Sequence, residues 1–235
     1  MYQLRPANKR GRTKTGWLDS YHSFSFGDYC DPAFMGFSDL RVINDDIVAP
    51  GMGFGMHPHA DMEIISIILS GELKHQDSLG NGGVIRRGEI QKMTAGSGIM
   101  HSEYNPSPTQ AVRFLQIWIL PNIQNLRPSY EQKKFDKAAM TNRLCCIASP
   151  DGRDDSFLLH QDAELFQCLP EAKAEVICKL HENRKYWIQV AEGSIEANGN
   201  IMVAGDGMAI SGETDTLEIR GTDNLSNFLL FNLRP

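Results

Sequence analysis

Three absences narrow the field before any motif is read. No apolar run in the 235 residues approaches the ~20 needed to cross a bilayer as a helix. The tightest, Ile64-Ile65-Ser66-Ile67-Ile68-Leu69, has the length of a strand. Basic charge is also short: 23 Lys plus Arg stand against 29 Asp plus Glu, a formal −6. Neutralising phosphates needs a basic surface, so direct contact with nucleic acid is not expected. The five cysteines (Cys30, Cys145, Cys146, Cys168 and Cys178) are odd in number and form no CxxC. The first 16 residues are mostly polar and lack the apolar core of a secretory signal. A reduced, cytoplasmic protein away from membranes is expected, its cysteines serving as small buried hydrophobes. The basic cluster Arg5, Lys9, Arg10, Arg12 and Lys14 reads as solvated surface.

Long helical periodicity is equally scarce. What is present is a series of short strand-like segments: Leu40–Asn44, Glu63–Leu69, Leu73–Gln76, Ile90–Met93 and Phe114–Leu120. They are punctuated by Asp45-Asp46, Pro50-Gly51, Ser70-Gly71 and the glycine-rich stretch 77–83. Strands every 8–12 residues with turn residues between them predict a sandwich or barrel, not βαβ units. Tyr130–Ala139 reads as one short helix or a polar connection. It separates two strand-rich halves, 1–130 and 131–235. The halves echo each other: Ile67–Leu73 resembles Ile188–Ile195, and Gly88-Glu89-Ile90 resembles Gly205-Asp206-Gly207.

The chemistry concentrates between Gly51 and Asn105. His57 and His59 stand at i, i+2, so on a strand both imidazoles point to one face, where a first-row metal can bridge them. His101 and Glu103 repeat the spacing. If the two strands face one another, three nitrogens and one carboxylate converge and leave coordination positions open, as a catalytic metal requires. Glu63, four residues after His59, competes for the carboxylate position, and strand parity does not exclude it. Such a donor set takes Fe, Mn, Co, Ni, Cu or Zn. His75 and Asp77 form a further i, i+2 pair beside a glycine-rich turn, which reads as a hairpin hydrogen bond and not a second metal site. His22, near Phe24 and Phe26, reads as packed, as do Trp17, Trp118 and Trp187. Met52, Met56, Met62, Met93 and Met100 flank the ligand blocks and read first as core filling, with some of them suited to line an apolar pocket for a flat aromatic ligand.

The glycine frame is specific. Gly51, five residues, His57-x-His59, three residues, Glu63, and then Gly71 form one block. Gly88, five residues, Thr94-x-Gly96, His101 and Asn105 form the second. These resemble the paired motifs of the cupin superfamily, with two departures. Seven residues instead of six separate Glu63 from Gly71, and Thr94 stands where the common pattern has proline. The segments His57-Pro58-His59, Asp61-Met62-Glu63, Met93–Gly96, Gly98-Ile99, His101-Ser102-Glu103 and Leu40–Asp46 resemble one branch, the pirin family, and within it the bacterial quercetin 2,3-dioxygenase-like members. The resemblance is dense over 1 to about 135 and loose beyond.

The resemblance implies an all-β bicupin, two double-stranded β-helix (jelly-roll) barrels packed together with few short helices. It implies one divalent metal, Fe(II) foremost, held by His57, His59, His101 and Glu103 in the N-terminal barrel alone. Glu63 then becomes a structural acid. The second half, with His160 and His181 but no HxH or HxE, cannot rebuild the site. The implied activity is opening of a flavonol such as quercetin by O2 with loss of carbon monoxide, Glu103 acting as base. The alternative is a metal-dependent regulatory or redox-sensing module with a protein partner. A monomer is expected, since two fused barrels can cover each other.

Overall fold

The computed structural model describes residues 1–212 and 216–235, which form 22 strands, one helical turn (Lys137–Met140) and two short 3-10 turns. They group into two compact units. One comprises Gly11–Gly36 with Leu40–Phe135; the other comprises Met1–Arg10, Phe37–Asp39 and Asp136–Pro235. Each contains one seven-stranded and one four-stranded sheet.

In the first unit the large sheet runs Ser129–Lys134, Glu89–Thr94, Glu63–Ser70, Val112–Ile119, Leu40–Val48, Leu18–His22, Gly11–Lys14. The small sheet runs Gly53–His59, Ile99–Tyr104, Glu72–Asp77, Gly82–Arg86. The second unit repeats this arrangement. Tyr2–Arg5, Gly207–Ser211, Lys185–Glu192, Asn227–Leu233, Ala163–Cys168, Cys145–Ser149 and Phe157–Leu158 form its large sheet. Glu175–Lys179, Thr216–Gly221, Ser194–Ala197 and Asn200–Val203 form its small one. The echo in the sequence is thus an echo in topology. Its turns match too: Gly71 and Gly193 both adopt positive φ (75° and 66°), as do Gly88 and Gly205 (86° and 92°).

Alternation along the strands of the first unit sorts its interior into three layers. On Glu63–Ser70, Ile64, Ser66 and Ile68 share a face; on Val112–Ile119, Trp118, Gln116 and Phe114 do so. Ile64, Met93, Ala95 and Ile99 form one apolar cluster, with Trp118 packed on it. Leu18, Val48, Ile68, Leu73, Ile85, Val112 and Phe114 form another. Between them lies a belt of buried polar groups: Ser66, His75, Gln91, His101, Glu103, Gln116, Asn44 and Asp46. Among the described residues the second unit has an apolar cluster in place of such a belt. Val176, Leu217 and Ile219 there join Ile188, Phe228 and Leu230 in one apolar cluster.

Several local readings change. Asp45-Asp46 is no break but the middle of the strand Leu40–Val48. Asp45 is held by a two-pronged ion pair with Arg113 (2.8 and 2.9 Å), which satisfies a charge inside a strand. Tyr130–Ala139 splits into a strand, Ser129–Lys134, paired with Glu89–Thr94, and a helical turn capped by Asp136, which accepts from the Ala138 amide. The basic amino-terminal segment is not simply solvated: Tyr2–Arg5 pairs with Gly207–Ser211 and Arg5 is buried. The extra residue between Glu63 and Gly71 is absorbed as a β-bulge. Ile68 faces Phe114 and Ser70 faces Arg113, so Leu69 has no opposite residue.

Candidate metal centre

His57 and His59 lie on Gly53–His59, turned inward while Met56 and Pro58 are exposed. Ile99–Tyr104 pairs with this strand and sets His101 opposite His57. A register shift between His101 and Glu103 then brings Glu103 opposite Phe54. Glycine permits the approach: a Cβ on Gly53 would sit 2.2 Å from the Glu103 carbonyl oxygen. The imidazole centroids of His57, His59 and His101 are 4.4 to 4.9 Å apart. One ring nitrogen from each lies within 4.8 Å of the others. A second trio with the same spacing consists of His75, His101 and Glu103. The four ligands expected from sequence are therefore not one mutual cluster; His101 belongs to both trios.

Protonation favours metal binding. Burial, with the neighbouring imidazoles His101 and His57, lowers the His59 pKa to about 4. Burial, with His57 and His75, lowers that of His101 to about 3. Both rings are neutral near pH 7, each with a lone pair to give. His57 Nδ1 lies 2.8 Å from the Gly55 carbonyl oxygen. A carbonyl only accepts, so that nitrogen carries the proton and Nε2 is the free donor. His101 Nε2 is buried with no hydrogen-bond partner in the protein. A buried lone pair without a partner is costly, and a metal ion satisfies it. The residues present therefore fit a divalent cation.

Glu103 is buried and accepts from three amide and hydroxyl donors: Gln116 Nε2 on Oε2 (2.6 Å), and Gln91 Nε2 and Ser66 Oγ on Oε1 (3.2 and 3.3 Å). Both of its oxygens are thus engaged: Oε1 accepts twice, and Oε2, which accepts once, keeps one lone pair by count. Glu63 has a different environment. It precedes Ile64 on a strand whose Ile64, Ser66 and Ile68 face inward, so it faces the other way, where Lys92 Nζ lies 2.8 Å from its Oε2. Lys92 also meets Thr94 Oγ1, the hydroxyl at the position of the common proline. Parity counted from His59 fails because Asp61, at φ 48°, breaks the strand between them.

Ser66, Gln91 and Gln116, which orient Glu103, were not singled out in the sequence. A lone polar residue inside an apolar strand run (Ser66 among four isoleucines, Gln116 in Phe-Leu-Gln-Ile-Trp) is the signal that marks them. His22 is packed as expected, with Nδ1 2.8 Å from Asn44 Oδ1 and its ring against Phe26. Trp118 stands edge-on to His59, with centroids 4.9 Å apart. A cleft of about 520 Å³ opens beside His59, bounded by Pro58, Ala60, Ser78, Ile99 and Met100. Of the flanking methionines, Met100 lines this cleft, Met93 is core, and Met52 and Met56 are exposed. Neither His160 nor His181 joins a metal-type cluster among the described residues.

Comparison with known proteins agrees with this architecture. The pirin family model matches residues 3–119, and that of the quercetinase C-terminal cupin domain matches 146–233. A quercetin 2,3-dioxygenase from Escherichia coli is 47% identical over 235 residues, covering 100% of both chains. A pirin-like protein from Caulobacter vibrioides is 39% identical over 91% of this chain and 92% of its own. A bacterial pirin from Escherichia coli, solved in complex with nickel(II), superposes with a TM-score of 0.94 at 46% identity and full coverage of both chains. The fold is that of a bicupin, and the chain belongs to the pirin family.

Proposed function

We propose that this protein is a metal-dependent dioxygenase that opens the central ring of flavonols such as quercetin and releases carbon monoxide. The observation that carries the proposal is the convergence of His57, His59 and His101, of which His59 borders a cleft, in a chain that matches a quercetin 2,3-dioxygenase along its whole length. His57, His59 and His101 would hold one divalent ion, with Glu103 as the fourth ligand. Iron(II) is the first candidate; a relative binds nickel(II). A metal ion there supplies a Lewis acid for the substrate hydroxyl and the means of bringing it together with O2.

The side chains do the rest. Ile99, Met100 and Pro58 offer the walls on which a flat aromatic ring rests beside His59, in a cleft within the usual size range for small ligands. Glu103 would take the proton of the flavonol 3-hydroxyl on Oε2, which accepts a single hydrogen bond, while Gln116 keeps that oxygen aimed; ligating an ion as well would require Ser66 or Gln91 to release Oε1. The deprotonated, electron-rich ring is the form that reacts with O2.

The test is anaerobic protein reconstituted separately with Fe(II), Ni(II), Mn(II) or Cu(II), mixed with quercetin and then with O2. Loss of flavonol absorbance with stoichiometric carbon monoxide supports the proposal, and Glu103→Gln should abolish both. Absence of turnover with every ion refutes the activity and favours a metal-dependent binding module.

A further inference from the structure

We propose that His75 and Asp77 are positioning residues that fix the tautomer and ring plane of His101, so that its Nε2 is the nitrogen offered to the metal. The proposal rests on the reading of His101 as a ligand. His75 and Asp77 share the inward face of Glu72–Asp77, opposite Glu103 and His101 respectively. Asp77 is anchored first. Its Oδ1 accepts from the amides of Leu79 (2.9 Å) and Asn81 (3.0 Å), and its Oδ2 accepts from Asn81 Nδ2 at 3.0 Å.

The order of donors then follows link by link. Asp77 Oδ2 lies 3.3 Å from His75 Nε2, and an ionised carboxylate only accepts, so the proton sits on Nε2. In a neutral ring, His75 Nδ1 is then bare. That atom lies 3.5 Å from His101 Nδ1, both rings being fully buried. Two bare nitrogens repel, so His101 Nδ1 carries the proton and donates. Its Nε2 keeps the lone pair, and Nε2 is the buried atom without a partner in the protein. Tyr130 stacks on His75 with centroids 4.4 Å apart and planes 17° from parallel, which holds the intervening ring in its plane. Outer hydrogen bonds of this kind typically change metal affinity by roughly 10- to 100-fold.

Asp77→Asn reverses the chain of donors. With its oxygen kept for the Leu79 and Asn81 amides and for Asn81 Nδ2, already 3.3 Å from Oδ1, the new side chain turns its NH2 toward His75. His75 must then accept at Nε2 and donate from Nδ1, and His101 is left protonated at Nε2, facing the metal.

The experiment uses the full chain and two readouts besides activity. Imidazole 15N–1H spectra of chelator-treated protein should show His101 protonated at Nδ1 in the wild type and at Nε2 in Asp77→Asn. Nickel(II) affinity, measured by chelator competition, should fall roughly 10- to 100-fold in Asp77→Asn. His75→Leu should lose as much, while His75→Asn, which keeps an acceptor near the Nδ1 position, should recover most of it. That pair decides the matter if Asp77→Asn does not fold. Undiminished nickel affinity in folded Asp77→Asn or His75→Leu overturns the proposal. So does Nε2 protonation in the wild type, or a second nickel ion per chain that His75→Leu removes. His101→Ala separates the two levels. If it retains nickel, the ligand reading fails and this proposal with it; if it loses nickel while Asp77→Asn binds normally, only the positioning role fails.

Discussion

Asp46 offers a quantitative check on the polar belt. Its side chain is buried opposite Phe114, and its Oδ1 has no hydrogen-bond partner. Burial raises its pKa to about 7; a hydrogen bond with Ser20 opposes the shift, and the charges of Glu103 and Asp45 add to it. In the unfolded chain the same group titrates near 3.9. Between these values the native state holds a proton that the unfolded state has released, so stability falls as pH rises and levels off above about 7. Each pH unit is worth about 1.4 kcal/mol, which makes the full penalty roughly 4 kcal/mol. Asp46→Asn is neutral at every pH and escapes it. Relative to wild type, the variant should gain roughly 2.5 kcal/mol between pH 5 and pH 8.5. Any constant offset from the lost hydroxyl cancels in that difference. The assay is urea unfolding in a chelator, since a bound cation would draw Asp46 back toward ionisation. Trp17 and Trp118 belong to the first unit and Trp187 to the second, so fluorescence in a Trp187→Phe background reports the relevant transition. Parallel pH profiles for the two proteins would refute the reasoning.

Other consequences are as direct. Glu103→Gln should weaken nickel(II) or iron(II) binding in equilibrium dialysis. Glu63→Gln should leave metal content unchanged yet lower stability by about 3–5 kcal/mol in urea unfolding, because it strands Lys92 as a buried charge. Nickel(II) at 100 times its dissociation constant should stabilise the first unit by about 2.7 kcal/mol, reversibly on chelation. Gly96→Ala should cost about 2–4 kcal/mol, since φ is +47° and the new Cβ would lie 2.0 Å from the Leu126 carbonyl oxygen. Gly88→Ala, at φ +86° with nothing within 4 Å, should cost only about 1 kcal/mol by the same thermal or urea measurement.

How far the sequence could be read follows from which interactions are local. The i, i+2 spacing of His57 with His59 and of His101 with Glu103 survives folding because it is a property of one strand. The glycine frame survives for a similar reason: Gly51, Gly71, Gly88 and Gly96 all adopt positive φ, a conformation that other residues resist. The strands Leu40–Val48 and Ser129–Lys134 were legible only in part. Asp45 is tolerated in mid-strand by Arg113, 68 positions away, and Tyr130 is recruited by pairing with Met93. Both partners are distant in sequence, and no local pattern announces them. The same holds for Tyr2–Arg5, whose partner strand begins at Gly207.

The choice between Glu63 and Glu103 shows where pattern reading stops and register takes over. Both carboxylates sit an even number of residues from a histidine, so parity alone cannot separate them. Glu103 and His101 share one uninterrupted strand, and the parity carries through. Between His59 and Glu63 the chain leaves one sheet and enters the other through Asp61 at positive φ, and the count restarts. What distinguishes the two acids is the partner each meets. Glu63 meets an ammonium group, which neutralises it and leaves it no charge to offer a metal. Glu103 meets only neutral donors from Ser66, Gln91 and Gln116, which orient a carboxylate without cancelling its charge. A carboxylate held in this way is the one suited to a cation, which is the role proposed for it above. The second unit makes the converse point. With Val176, Leu217 and Ile219 on its corresponding strands, the same topology closes as an apolar core among the described residues.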